Sequence, residues 1–249
     1  MTRPARLIVS VLPGLCLLLV WQAYAQWRPD SDFFVGSPRG IAREVRATLA
    51  GGLLLRDFGV TAVETILGFL AGSFLGTLVG LLLWASQTVF LISRPYLVAL
   101  GSLPVFALAP VVIFWLGTGI GSKVLIGFLS TFVVAVLQAH TGAADADPNL
   151  LRLTRAFGGS RRDQFVRIVA PSAAIWVLAG IRLNIGMALL GAFVGEFLAS
   201  RAGLGHLIIV AQGLYNVDQV WVGVLGIMLI ASLFHCLTLP VERWANRWK

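Results

Sequence analysis

Charged side chains are scarce in this sequence: 12% of 249 residues, against 58% hydrophobic, where soluble globular domains carry about a quarter. That balance excludes an ordinary soluble domain and indicates an integral membrane protein. Ten-residue segments of alternating polarity, the mark of a transmembrane β-barrel, are also missing. Cysteine is nearly absent. Cys16 and Cys236 stand alone inside apolar runs, which excludes a disulfide framework or a thiolate metal site and leaves both as packing residues. His140, His206 and His235 are isolated, no serine or cysteine sits in a nucleophile motif, and no metal-ligand spacing occurs. The glycine-rich run GTGIGSK (Gly117 to Lys123) lacks the G-x-x-x-x-G-K-[ST] spacing of a phosphate loop and reads as a turn between spans. Neither a catalytic set, a metal site nor a bound cofactor is expected of this chain.

What remains is apolar sequence in long runs. Crossing ~30 Å of hydrocarbon takes ~20 residues of helix, and six runs qualify: Leu7 to Tyr24, Val60 to Trp84, Tyr96 to Leu116, Val124 to His140, Ile175 to Leu198 and Val220 to Leu239. Backbone polar groups in lipid must satisfy one another. The expected fold class is therefore an all-α polytopic membrane protein of about six transmembrane helices. Residues 1–57 form a first helix with an outer amphipathic segment, and 58–249 a five-helix core. Arg3, Arg6 and the Ala23-Tyr24-Ala25 sequence resemble a secretory signal; an uncleaved first span is expected, and its removal would leave the other five oriented as before. With the N-terminus inside, internal segments hold 11 basic residues against 7 outside, Lys123 counted among the outer ones, and both termini are cytoplasmic. Trp21, Trp27, Trp115 and Trp221 then fall at outer ends and Trp84, Trp176, Trp244 and Trp248 at inner ones, as an aromatic belt requires. The net charge of +8 follows from these arginine-bearing loops, and nucleic acid is not an expected partner.

Within the spans, Gly68, Gly72, Gly76 and Gly80 recur every four residues and put a bare face toward another helix; Gly191 and Gly195 repeat the device. Pro104 and Pro110 interrupt the third span, with Phe106 between them, and such a break either lines a cavity or bends the bundle. Ile41, Val45 and Leu49 mark a short amphipathic helix on the outer surface. Glu64, Arg182 and Glu196 are the charges inside predicted spans, and each is a candidate for the translocation path or for helix packing. Arg182 and Glu196 are 14 residues apart, ~21 Å along a helix at about 1.5 Å per residue, too far to pair.

Against this background one stretch, residues 145–171, turns polar: DADPNLLRLTRAFGGSRRDQFVRIVAP. It carries Arg152, Arg155, Arg161, Arg162 and Arg167 beside Asp145, Asp147 and Asp163, and must lie in water. Leu150, Leu153 and Phe157 share the apolar face of a first short helix, with Ala156 at its end. Gly158-Gly159 breaks it. Ser160 and Asp163 have capping-box spacing for a second short helix, with Phe165, Ile168 and Val169 on its apolar side and Pro171 ending it. Helix, glycine elbow, helix offers Phe157 to a partner while arginines pair with carboxylates; a loop lying on anionic lipid is the alternative.

The run LLRLTRAFGGSRRDQFVRIVAP resembles the EAA loop of permease subunits of type I ABC importers, its glycine matching Gly158 and its proline Pro171. LPVFALAPVVIFWLGTGIGSK (Leu103 to Lys123) and AGIRLNIGMALLGAFVGEFLASRAGLGHLI (Ala179 to Ile208) are similar to the branch that imports sulfonates, taurine or nitrate. The motif glutamate falls on Arg152 and one of its alanines on Thr154, and Glu64 stands where the family usually has a basic residue. The resemblance implies a subunit of the bacterial inner membrane, paired with a second permease subunit as a homodimer. It further implies cytoplasmic ABC ATPase subunits carrying ATP and Mg, an extracytoplasmic substrate-binding protein, and surrounding membrane lipid. It implies alternating access for a small anionic solute, with Arg152, Arg155, Ala156, Phe157, Gly158, Ser160, Phe165 and Pro171 coupling the permease to the ATPase. Arg182 and Glu196 match positions shared across differing substrates, which favours a structural role for both. A stand-alone secondary transporter or channel is the other reading, and would show midplane carboxylates and inverted repeats; a membrane-embedded enzyme is a third.

Overall fold

The computed structural model describes residues 3–27 and 31–245, with side chains over 12–27 and 33–240, and no strand forms among the described residues. The chain runs as α1 (Arg3–Trp27), α2 (Ser31–Phe34), α3 (Pro38–Ala50), α4 (Leu53–Trp84), α5 (Gln87–Ser102), α6 (Val105–Leu116) and α7 (Ile120–Ala144), then α8 (Pro148–Ala156), α9 (Arg161–Gln164), α10 (Ala170–Leu198), α11 (Leu204–Gly213) and α12 (Val217–Ala245). Four helices are long and apolar enough to cross a membrane among the described residues: α4, α7, the run Arg161–Leu198 that ends as α10, and α12; α5 and α6 together make a fifth, bent span. The first expected span falls within α1, whose side chains before residue 12 lie outside the described residues. The class is as expected, and among the described residues the spans number four, or five with the bent pair, where the sequence suggests about six.

Glycine sets how the bundle is assembled. Helices in lipid gain little from the hydrophobic effect and associate through close backbone packing. A Cβ on Gly68 would stand 3.0 Å from the Gly127 Cα, one on Gly76 2.5 Å from the Phe132 carbonyl, and one on Gly80 2.4 Å from the Val136 carbonyl. The glycine face of α4 is therefore pressed onto the backbone of α7. From the other side, Gly191 and Gly195 of α10 meet Gly127, Ser130 and Ile126. Thus α7 is the central helix, held between two stripes of small residues.

The third span differs from its expected form. Rather than one interrupted helix over 96–116, α5 begins at Gln87, and α5 and α6 meet at 89°. Leu103, directly before Pro104, is extended at φ −69, ψ 125, because the proline ring bars its predecessor from helical geometry. Pro104 then caps α6, and its carbonyl accepts from the Ala107 N–H at 2.8 Å. Pro110 does not interrupt: it stays inside α6, its missing donor to the Phe106 carbonyl a local defect that the flanking turns absorb. Cys16 and Cys236 are both exposed. Packing among the described residues is not their role, because each lies on a helix face that those residues leave open.

At one end, α3 starts where Ser37 accepts from the Gly40 N–H with Pro38 in its first turn. Ser37 donates its own N–H to Asp218 of α12 at 2.8 Å, and Trp21 packs on Trp221 at 5.2 Å. Trp84 and Trp176 stand at the opposite end, beside Phe165 and Asp145. The side chains of Trp244 and Trp248 lie outside the described residues.

Candidate functional site

The polar insert folds as an elbow whose two halves are fixed by local chemistry. Asp147 caps α8 by accepting from the Asn149 N–H at 2.8 Å. At the far end Gly158 donates to the Arg155 carbonyl (2.9 Å) and Gly159 to the Thr154 carbonyl (2.8 Å), the paired bonds of a Schellman turn. Gly158 has φ +77 with open space where a Cβ would go, whereas a Cβ on Gly159 would stand 2.5 Å from Thr154 Cγ2. The first glycine supplies a left-handed backbone, and the second supplies room. The expected capping box is present: Ser160 Oγ accepts from the Asp163 N–H at 3.2 Å, and the Ser160 N–H donates to Asp163 Oδ2 at 2.9 Å. Ser160→Ala is expected to cost about 1 kcal/mol of local stability, read as faster amide exchange over 160–165 with exchange in α7 unchanged.

Pro171 does not end a second short helix. The chain continues from Arg161 through Leu198 as one run, with a π-turn over Phe165–Val169 and Pro171 in the first turn of α10. The Ala170 N–H reaches back to the Phe165 carbonyl. This wider turn, placed directly ahead of the proline, makes room for the ring, so the helix passes through rather than stopping.

Two faces of the elbow do different things. Gln164, almost fully buried, donates to the Leu151 carbonyl at 3.2 Å and ties α8 to α9. Phe165 faces the bundle, 6.0 Å from Trp84, and Val169 is buried with Ala143, Ala146 and Ala173. Ser172 donates to the Gly142 carbonyl (2.8 Å) and Trp176 to Asp145 (3.3 Å). The other face is open among the described residues: Leu150, Leu153 and Phe157 are 48%, 53% and 83% exposed, and Arg152, Arg155 and Ala156 are exposed beside them.

A second concentration of polar groups lies at the opposite end, where α4, α7 and α10 meet the start of α11. Three successive N–H groups are capped by three different side chains: Gly203 by Asp57 Oδ1 (3.0 Å), Leu204 by Thr61 Oγ1 (2.8 Å) and Gly205 by Glu196 Oε2 (2.7 Å). A helix start needs such partners, and here Asp57 and Thr61 come from a helix more than 140 residues earlier in the chain. Glu64 lies within hydrogen-bonding reach of Glu196, and Glu64 Oε2 and Glu196 Oε1 have no hydrogen-bond partner among the described residues. Lys123 is fully buried in the first turn of α7 and donates to the Thr118 carbonyl at 2.5 Å. Lys123 is thus not in an outer loop, and Asp57 and Lys123 join the charges inside spans. Glu64 and Glu196 come together, while Arg182 stands apart from them beside His235, at a cavity of about 230 Å³ between α10 and α12.

Comparison with known proteins decides what this arrangement belongs to. Residues 68–247 match the family described as binding-protein-dependent transport system inner membrane component. The chain belongs to that family. A probable ABC transporter permease protein of Haemophilus influenzae is 28% identical over 98% of this chain and 97% of its own length. The riboflavin transport permease RibX of Chloroflexus aurantiacus is 30% identical over 94% and 88%, and the taurine transport permease TauC of Escherichia coli 25% identical over 93% and 86%. In structure, an inward-facing MetNI methionine ABC transporter chain aligns over 79% of this chain and 97% of its own with a TM-score of 0.70 at 14% identity, which shows the fold. The chain is the permease component of a type I ABC importer, a multi-pass membrane protein.

Two further cavities lie in this permease. One of about 260 Å³ lies where α5 breaks from α6, bounded by Ser102, Pro104, Phe106, Ser130 and Gly191. Another of about 810 Å³ opens at the polar end, bounded by Arg56, Glu64, Thr118 and Arg201. Pro110 borders neither.

Proposed function

We propose that the elbow is the element through which ATP hydrolysis on a separate subunit drives this permease, and that the elbow end faces the cytoplasm. The observation that carries the reading is the pairing of a bare apolar face with a rigid mount. Leu150, Leu153 and Phe157 are exposed among the described residues, while the back of the same elbow is fixed to α4, α7 and α10. A lone surface loop has no need of both. An ATPase subunit holding ATP and Mg would seat Phe157 in an apolar recess, with Arg152 and Arg155 toward its carboxylates.

Motion imposed on the elbow has a direct path into the membrane, because α9 continues without a stop into α10. The glycine stripe of α10 then bears on α7, and α7 on α4. Packed helices with two discrete arrangements are the physical substrate of alternating access. In this reading two copies of the chain pair in the membrane, and the solute passes near the α5–α6 break at Pro104 and Phe106. Asp57, Thr61 and Glu196 anchor the start of α11, with Glu64 against Glu196, and Arg182 holds the α10–α12 contact. Relatives named for taurine and aliphatic sulfonates, with Arg56 and Arg201 at the wide polar-end cavity, support a small anion delivered by an extracytoplasmic binding protein.

A photo-crosslinking amino acid in place of Phe157 is expected to capture the ATPase subunit in the assembled importer. The same group at Phe74, exposed on the apolar run of α4, should capture none. A functioning assembly in which position 157 captures nothing would overturn the proposal.

A further inference from the structure

Behind the bare face of the elbow, between it and the end of α4, lies a cavity of about 550 Å³ bounded by Trp84, Gln87, Arg155, Arg161, Arg162 and Gln164. Three arginines border one space, and the nearby acids are engaged elsewhere. Asp145 accepts from Trp176 and Asp147 from the Asn149 N–H. Asp163 is taken by Ser160 and by Arg167 at 3.9 Å, though it also feels Arg162. The cavity is therefore strongly cationic, with Gln87 and Gln164 also on its border.

Its surroundings identify the kind of anion. On one side α4 arrives with Leu78 and Leu82 exposed; on the other α5 leaves with Val89, Leu91 and Ile92 exposed. The rim of the cavity thus continues into apolar surface of the kind acyl chains cover, with Trp84 at the level where interfacial aromatics sit. A free anion has no use for such a margin. A carboxylate of a soluble partner would approach from the water side, where Leu150, Leu153 and Phe157 point.

We propose that this cavity is a headgroup site for an anionic phospholipid, its phosphate held by Arg155, Arg161 and Arg162 and its acyl chains lying along α4 and α5. Guanidinium forks match phosphate oxygens in pairs, and convergence on one cavity separates this from the diffuse attraction of any basic loop to a charged membrane. The assignment needs only that the chain sits in a bilayer; Arg155 is the one residue it shares with the coupling role proposed above, and Arg161 and Arg162 belong to this site alone.

The test is native mass spectrometry of the full chain released from nanodiscs holding equal phosphatidylglycerol and phosphatidylcholine. The wild type is expected to retain phosphatidylglycerol preferentially. The R155Q/R161Q/R162Q variant should lose about tenfold or more of that preference, on the scale of roughly 1 kcal/mol per basic residue at a membrane surface. R152Q/R167Q, which removes two insert arginines that do not border the cavity, should keep it. These side chains are all exposed on the elbow, and a triple Arg→Lys variant, which retains charge without the planar fork, should fall between. Equal losses in the two Gln variants would show diffuse charge attraction and overturn the site. So would complete displacement of the lipid by inorganic phosphate, which would make it a free-phosphate site, or loss of the lipid whenever the ATPase is bound, which would make a partner carboxylate the occupant.

Discussion

Replacing Gly158 by isoleucine is expected to leave the permease at its normal level in the membrane while lowering solute uptake per ATP hydrolysed by about tenfold, the size of effect that about 1–3 kcal/mol of backbone strain produces. Gly158 has φ +77 and nothing within 4 Å of the place a Cβ would occupy, so the substitution meets no neighbour. The cost is conformational alone, because β-branched L-residues are poorly accommodated in left-handed backbone. Relaxing it means giving up the Gly158-to-Arg155 and Gly159-to-Thr154 hydrogen bonds, and with them the angle between α8 and α9. Gly158→Asn, which tolerates the left-handed region, should fall between wild type and Gly158→Ile. Gly159→Ala acts differently: its methyl group would stand 2.5 Å from Thr154 Cγ2 and push the turn apart by contact. Uptake and hydrolysis are measured together in proteoliposomes. Normal values of both in Gly158→Ile would mean that the elbow does not transmit the stroke.

The elbow was the most legible part of the molecule because its determinants are local. Glycines at 158 and 159, the Ser160/Asp163 spacing and the Leu150, Leu153, Phe157 face all act within a few residues of themselves, and each forms as read. The α4 stripe was legible for a related reason, since four-residue spacing declares a face without naming what covers it. Where partners lie far away in sequence, reading failed. Lys123 looked like part of a turn because Gly117 to Gly121 precede it, yet it is fully buried, and its setting depends on α4 and α10. Asp57 and Thr61 cap a helix that begins at residue 204. A signal was nevertheless present: Glu64 lies four residues before Gly68 and positions 57, 61 and 65 repeat the same spacing one residue out of step, so the buried face of α4 turns polar as it nears that end. The π-turn before Pro171 and the 89° bend at Leu103-Pro104 show the limit of proline as a stop sign. One proline is absorbed by a widened turn, the other breaks the span, and the difference lies in backbone hydrogen bonding that residue type alone does not declare.

The most damaging single change to the bundle is expected at Gly76, where leucine should prevent α4 and α7 from docking. A Cβ there would stand 2.5 Å from the Phe132 carbonyl and 2.7 Å from the Ala135 Cβ, before the rest of the side chain is added. Neither obstacle is the free end of a flexible side chain. Overpacking a core by an added methylene or two costs about 1–3 kcal/mol, and a leucine forced between two backbones exceeds that, because relief requires the helices to separate along their length. Separation would also withdraw Gly68, Gly72 and Gly80 from α7, and would loosen the polar end, where Asp57 and Thr61 of α4 hold the start of α11. Gly76→Leu should therefore reduce folded permease, measured by fluorescence-detected size exclusion in mild detergent, to a small fraction of wild type. Gly59→Leu, at a position of α4 with nothing within 4 Å, should match wild type. Gly76→Ala should lie between and show a lowered thermal midpoint, its methyl group displacing α7 by less than leucine does. A Gly76→Leu chain that elutes, melts and transports as the wild type does would show that the α4–α7 contact is dispensable, and the route from elbow to α10 to α7 to α4 would lose its last step.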